Sequence, residues 1–92
     1  MDPGRSRTAI VTGGTKGIGL AIAERLAMAG VSVFICGRNR TEVRDAITDL
    51  SKHGRVSGEA CDVRSEDQVR QMIAECERVF GEIDILVNNA GM

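Results

Sequence analysis

The chain has 92 residues, a formal net charge of −1 and 42% hydrophobic residues, which fits one small globular domain. This near-neutral charge gives no reason to expect nucleic acid or an anionic membrane as a partner. No apolar run approaches the roughly 20 residues of a membrane span, and the N-terminus lacks the apolar core of a signal peptide, so we expect a cytoplasmic protein.

The three cysteines and the single histidine do not form a pattern typical of metal binding or catalysis. Cys36, Cys61 and Cys76 are odd in number and widely spaced, which argues against a disulfide framework and a CxxC metal site. Each lies in an apolar pattern, so we expect packing residues. His53 has no acidic or cysteine neighbour. We therefore predict neither a metal site nor a catalytic histidine.

Short apolar runs alternate with segments of helical spacing along the chain. Strands are predicted at residues 8–12, 31–36, 55–61 and 83–87, the third being the least apolar and therefore nearer a sheet edge. Helices with apolar stripes are predicted at residues 18–29, 43–50 and 69–80. The order β-α-β-α-β-α-β predicts an α/β fold with a doubly wound parallel sheet, the Rossmann type.

Two helix starts carry capping signals, and the last strand is left open. Asn39 with Glu42, and Ser65 with Gln68, have the spacing of a capping box. The fourth strand has no predicted neighbour on one side, and complete proteins avoid such an apolar edge. We therefore expect residues 1–92 to be a partial Rossmann domain, with more chain to follow, and we expect the isolated chain to associate.

A glycine-rich segment, TGGTKGIG at residues 12–19, links the first strand to the first helix. Glycines allow a sharp turn and a close approach of the backbone to a pyrophosphate, while the helix that starts near Gly17 directs its N–H groups at the phosphates. A Walker loop fits poorly, because no Gly-Lys-Ser/Thr ends the motif. The alternative is a tight turn that binds no ligand.

The end of the second strand, CGRNR at residues 36–40, contains no acid. Dinucleotide-binding folds place an acid here for the ribose of NAD, whereas a cation favours the 2′-phosphate of NADP. Arg38 offers a planar charged fork, and Lys16 could reach the same phosphate, which favours NADP. The missing acid also argues against a methyltransferase. The alternative is that both side chains are solvated surface cations.

Three segments resemble the motifs of the short-chain dehydrogenase/reductase family. Residues 12–19 resemble its TGxxxGxG loop, Asp62-Val63 its acid-valine pair after the third strand, and residues 88–91 its NNAG motif. All three occur in family order and spacing over nearly the whole chain. The nearest subgroup is the 3-oxoacyl-carrier-protein reductase-like group, which reduces ketones with NADPH.

This resemblance implies a set of cofactor-binding residues. The glycine loop would hold the pyrophosphate and adjoining ribose, Arg38 the 2′-phosphate, and Asp62 and Val63 the adenine. Asn88 would tie neighbouring strands together rather than bind the cofactor. The implied cofactor-binding residues are Gly13, Thr15, Lys16, Gly17, Ile18, Gly19, Arg38, Asp62, Val63, Asn89, Ala90 and Gly91.

The resemblance also implies catalytic groups that this chain lacks. The family uses a Ser and a Tyr-x-x-x-Lys, in which the Tyr acts as general acid or base, but this chain has no tyrosine. We assign no catalytic residue and expect the cofactor-binding fragment of an NADP(H)-dependent oxidoreductase, inactive alone. The complete enzyme would act on a small carbonyl or alcohol substrate and form a homo-oligomer. The alternative is a non-catalytic dinucleotide-binding or interaction module.

Overall fold

The computed structural model describes residues 6–89, and strands and helices alternate along them in the predicted order. The elements are β1 (Thr8–Thr12), α1 (Gly17–Met28), β2 (Ser32–Gly37), α2 (Arg40–Leu50), β3 (Val56–Ala60), α3 (Glu66–Phe80) and β4 (Ile85–Asn88). Within this part of the chain, no helix is long and apolar enough to cross a membrane.

The strands form one parallel sheet in the order β3-β2-β1-β4. The chain adds strands outward from β1 to β3 and then returns to the other side of β1. This reversal of strand order between β1 and β4 is the topological switch point, beside which α/β folds bind ligands. The predicted α/β doubly wound sheet is confirmed, and β3 lies at an edge as its low hydrophobicity predicted.

Two apolar clusters cover the two faces of the sheet. On one face, Val11 and Ile35 of the sheet pack with Leu50 of α2, and the face under α3 includes Ile10 and Phe34. The two central strands, β1 and β2, can bury both faces because apolar residues run continuously through them, and all five residues of β1 are buried.

All three cysteines belong to the cluster under α3, as expected of packing residues. Cys36, Cys61 and Cys76 are buried and unpaired. Burial raises the pKa of the Cys36 and Cys76 thiols to about 11. Since the thiolate is the reactive form, these side chains are poor nucleophiles at neutral pH.

Three strands begin later than the sequence predicted: β3 by one residue, at Val56, and β2 and β4 for reasons that the hydrogen bonds explain. Residue 31 was placed in the second strand, but the Val31 amide donates to the Leu26 carbonyl (3.0 Å) and completes the turn that ends α1. Residues 83 and 84 were placed in the fourth strand, which begins at Ile85. The Asp84 carboxylate instead accepts a hydrogen bond from the Thr8 amide (2.8 Å) and fixes the start of β4 against β1.

Both predicted N-caps are present, although the side chains of Glu42 and Gln68 lie near other partners than the N-cap amides of a capping box. The Asn39 side chain accepts from the Glu42 amide (3.0 Å), and the Ser65 hydroxyl accepts from the Gln68 amide (3.3 Å). The Gln68 side chain, however, accepts from the Asp62 amide (2.8 Å), beyond the N-cap residue. The cap of α3 therefore also fixes the loop that follows β3.

The free edge of β4 is apolar. Among the described residues β4 pairs only with β1, and Leu86 is 64% exposed. Beside this edge, between α3 and the sheet, lies an apolar groove of about 280 Å³, in which Met72, Ile73 and Leu86 meet. Unpaired backbone groups next to exposed apolar side chains favour association with another chain.

We predict that the isolated 92-residue chain self-associates through this edge. Its mass by size-exclusion chromatography with light scattering should exceed 9.9 kDa and rise with concentration. Leu86→Lys should shift the chain towards the monomer, because a charge on an edge strand opposes pairing. Met28→Lys, at a 59% exposed position on α1, is the matched control. A wild-type monomer at every concentration would contradict the prediction.

Candidate functional site

A cavity of about 530 Å³ opens at the carboxyl ends of β1, β2 and β3. Parallel strands bring these ends to one edge of the sheet, where doubly wound folds bind ligands. The lining residues come from the loops after the strands and from the start of α2. They are Gly13, Thr15, Lys16, Cys36, Gly37, Arg38, Asn39, Glu42, Cys61, Asp62, Val63 and Arg64.

Within the glycine-rich segment, residues 13–16 form the loop proper, called the glycine loop below. Hydrogen bonds join this loop to the end of β2. The amides of Gly13 and Gly14 both donate to the Cys36 carbonyl, at 2.9 and 3.2 Å. Gly13 has a φ of 66°, in the left-handed region that favours glycine, so the chain can turn back over β2. This turn makes the loop one wall of the cavity.

The back of the loop packs against α1 with no room for a side chain. A Cβ at Gly19 would overlap the Gly13 carbonyl oxygen and lie 2.7 Å from the Asn89 side-chain nitrogen. That nitrogen donates to the Gly13 carbonyl (3.2 Å), while the Asn89 backbone amide donates to the Thr12 hydroxyl (2.9 Å). Asn89 therefore joins the glycine loop to the end of β4.

The first turn of α1 offers backbone donors beside this loop. Leu20 donates the first hydrogen bond of the helix, to the Lys16 carbonyl, so the N–H groups of residues 17–19 precede the helical ladder. The Lys16 side chain makes no capping bond, and the turn contains no acid. Such a helix start carries a partial positive charge that attracts anions.

Three cations and two carboxylates line the cavity. Lys16 extends from the glycine loop, Arg38 follows β2 and Arg64 follows β3. The Lys16 Nζ lies 3.9 Å from the Glu42 Oε1, and the two side chains are 81% and 47% exposed. The Arg64 guanidinium forms a fork on Asp62.

The Asp62 carboxylate is held mainly by Arg64. It accepts from the Arg64 backbone amide (3.0 Å), from Nε (3.1 Å) and from Nη2 (2.9 Å). These bonds, helped by the charge of Arg38, lower the pKa of Asp62 to about 2. The carboxylate is therefore ionised and oriented at neutral pH.

The structure brings six of the twelve predicted site residues together in one cavity. Gly13, Thr15, Lys16, Arg38, Asp62 and Val63 line the cavity. Gly17, Ile18, Gly19 and Asn89 lie beside it but are not among its lining residues. Ala90 and Gly91 lie outside the described residues. Asn88 accepts from the Thr12 hydroxyl (3.3 Å), which links β4 to β1 as expected.

Sequence reasoning missed Glu42 and Arg64 as members of the site. Glu42 was noted only as part of a cap, although a first-turn position of α2 lies at the same edge as the ends of β1 and β2. Arg64 lies only two residues after Asp62, and this short spacing of opposite charges could have predicted the ion pair between them. In the region from 6 to 89, no cluster of three or more His, Cys, Asp or Glu residues could hold a metal ion.

We predict that Asp62 titrates well below an ordinary aspartate. Because its pKa is lowered, the Asp62–Arg64 fork is fully formed above about pH 4 and is lost as the pH falls through about 2. Carboxyl-detected NMR should show this midpoint, and Arg64→Gln should return it towards 3.8. Arg70→Gln, on the exposed surface of α3, is the control. An unchanged midpoint in Arg64→Gln would contradict the assignment.

Solved structures and curated relatives match nearly the whole chain. A structure of actinorhodin polyketide ketoreductase with NADPH superposes with a TM-score of 0.91 and 41% identity, covering 95% of this chain and 34% of that one. The Pseudomonas aeruginosa RhlG/NADP active-site complex gives 0.84 and 40%, covering 100% and 38%. A tropinone reductase homolog of Arabidopsis thaliana is 44% identical over 87 residues, which is 92% of this chain and 33% of the relative.

The chain thus spans about a third of the length of these proteins. The model of the short chain dehydrogenase family matches residues 7–92. That match includes the glycine loop and the segments after β2 and β3, which line the cavity, and the end of β4 beside them. On this match and on the shared fold, the chain belongs to the short-chain dehydrogenase family.

Proposed function

We propose that this chain is the NADP(H)-binding part of an oxidoreductase that transfers hydride between a small carbonyl compound and its alcohol. One observation carries the proposal: the cavity sets the glycine loop beside Arg38 and Lys16, with no acid at the end of β2. That arrangement matches the chemistry of a pyrophosphate followed by a 2′-phosphate. Two similar solved structures are named as NADPH or NADP complexes, which supports the same cofactor here.

The glycine loop and the start of α1 suit the pyrophosphate. The N–H groups of the first turn have no side-chain cap and would donate to the pyrophosphate. A cavity of about 530 Å³ lies within the range of roughly 300–1,000 Å³ for small-molecule sites. The proposed contacts in this part are Gly13, Thr15, Lys16, Gly17, Ile18 and Gly19.

The far end of the cavity suits the adenosine and its phosphate. Arg38 would form a charged fork to the 2′-phosphate, because its planar guanidinium matches phosphate oxygens. The Asp62 carboxylate, fixed by Arg64, would accept from the adenine amino group, and Val63 would lie beside the ring. Asn89, Ala90 and Gly91 would line the floor under the adenosine side and the centre of the cofactor. Ala90 and Gly91 lie outside the described residues.

In this proposal, the residues that line the cavity bind and orient the cofactor, and none of them transfers a proton. When bound, the cofactor supplies or accepts the hydride. The tyrosine that the family uses as general acid or base has no counterpart here, because the chain contains no tyrosine. In the proposed oxidoreductase that group comes from outside these 92 residues, and residues 1–92 form a partial Rossmann domain. The complete enzyme would be a cytoplasmic homo-oligomer.

The same absence of tyrosine favours a second candidate, a non-catalytic dinucleotide-binding or interaction module. The apolar edge of β4 would then pair with another chain. The oxidoreductase and the binding module differ in whether the protein turns over NADPH with a ketone. A protein that contains this segment and oxidises NADPH with a ketone substrate supports the oxidoreductase, whereas nucleotide binding without turnover supports the module.

We predict that NADPH binds more tightly than NADH and that Arg38→Ala removes the preference. Loss of one charge-assisted fork should weaken NADPH binding about tenfold or more, equivalent to about 1.4 kcal/mol, and leave NADH binding nearly unchanged. Titration calorimetry measures both constants. Arg44→Ala removes an exposed arginine from α2 outside this cavity and is the control. Equal weakening of both nucleotides by Arg38→Ala would contradict the 2′-phosphate assignment.

We predict a different pattern for Gly19→Ala. The added methyl group would displace the Gly13 carbonyl and Asn89, so NADPH and NADH should both lose affinity to a similar extent. Asn89→Ala removes the amide bond without adding bulk and should have a smaller effect. Circular dichroism establishes that both variants are folded. Unchanged binding in Gly19→Ala would show that the glycine loop is not the pyrophosphate site.

A further inference from the structure

The cavity contains a carboxylate, Glu42, for which the proposed cofactor contacts provide no role. Glu42 lies in the first turn of α2, where the N-cap Asn39 accepts a hydrogen bond from its backbone amide (3.0 Å). The cap fixes this backbone at the edge of the cavity. The side chain then lies opposite Lys16, with 3.9 Å between the carboxylate Oε1 and the ammonium Nζ.

The charges around the cavity are arranged in pairs. Asp62 is held by Arg64, and Glu42 lies against Lys16. Arg38 makes no ion pair within 4 Å with any described residue, although its charge attracts Asp62. Arg38 is therefore available to a phosphate, whereas the Lys16 ammonium is already attracted by the Glu42 carboxylate.

We propose that Glu42 is a specificity-determining residue that competes with the 2′-phosphate for Lys16; this inference rests on the proposed NADP(H) site. Both side chains are largely exposed, at 81% and 47%, so water and salt weaken their attraction and allow the exchange. NADH lacks the 2′-phosphate and leaves the pair intact. Glu42 therefore weakens NADPH binding selectively and narrows the preference that Arg38 creates.

The first experiment compares Glu42→Gln with the wild-type chain. Glutamine preserves side-chain length and the capped backbone but removes the charge. NADPH and 2′,5′-ADP should bind roughly twofold to fivefold more tightly, the range for an exposed ion pair, while NADH and 5′-AMP should be unaffected. Asp45→Asn removes the same charge from an exposed position of α2 away from the cavity and should change neither affinity.

The second experiment asks whether Lys16 mediates the effect. In a Lys16→Met background, Glu42→Gln should no longer tighten NADPH binding, because the competed cation is gone. Equal tightening in both backgrounds would overturn the proposal, since the carboxylate would then act on the phosphate directly. Raising the salt concentration should shrink the difference between wild type and Glu42→Gln. Circular dichroism confirms that each variant is folded.

The outcomes separate this inference from the proposed function. A wild-type chain that prefers NADPH, with a Glu42→Gln variant of identical affinities, overturns only the role of Glu42. A folded wild-type chain that binds neither NADPH nor 2′,5′-ADP overturns the cofactor site, and the role of Glu42 with it. Tightening for NADPH and NADH alike also overturns the inference, because competition for the 2′-phosphate requires selectivity.

Discussion

The candidate site depends on the close contact between the glycine loop and the ends of the neighbouring strands. Gly13 and Gly14 donate to the Cys36 carbonyl at the end of β2, and the Gly13 carbonyl accepts from Asn89 beyond β4. This contact requires Gly19, whose missing Cβ leaves space for that carbonyl. The backbone of the loop is thereby fixed before any ligand arrives, which reduces the ordering cost of binding.

Around this fixed loop, the parallel sheet gathers charges from segments far apart in sequence. Every strand ends at the same edge, so Lys16, Arg38 and Arg64 reach one cavity from three different loops. Lys16 and Arg64 each lie within 4 Å of a carboxylate, whereas Arg38 forms no such ion pair with a described residue. In the proposed site, a 2′-phosphate would meet one available cation and one that Glu42 also attracts. Under that proposal, selectivity for NADPH depends on two cations and one carboxylate rather than on one arginine.

Membership of the short-chain dehydrogenase family relates this geometry to a class of oxidoreductases, but it assigns no catalytic residue within the chain. The chain spans about a third of the proteins it matches, and it contributes backbone donors, a fixed carboxylate and cations. Under the proposed function, these groups hold and orient a dinucleotide. The apolar edge of β4, beside the switch point, is exposed, and such an edge favours pairing with another strand.

The sequence by itself determined the α/β order, both N-caps and the turn at residues 12–19, because these depend on residues within a few positions of one another. The place of Arg38 after the second strand predicted a cofactor contact, and the resemblance to a family motif predicted one at Asp62; both side chains line the cavity. Only the tertiary structure decided that Glu42 opposes Lys16 and that the Gln68 side chain bonds the Asp62 amide. It also moved the starts of β2 and β4, through the turn at Val31 and the Asp84 carboxylate. Such contacts depend on strand order and helix placement, which bring together side chains that no local pattern relates.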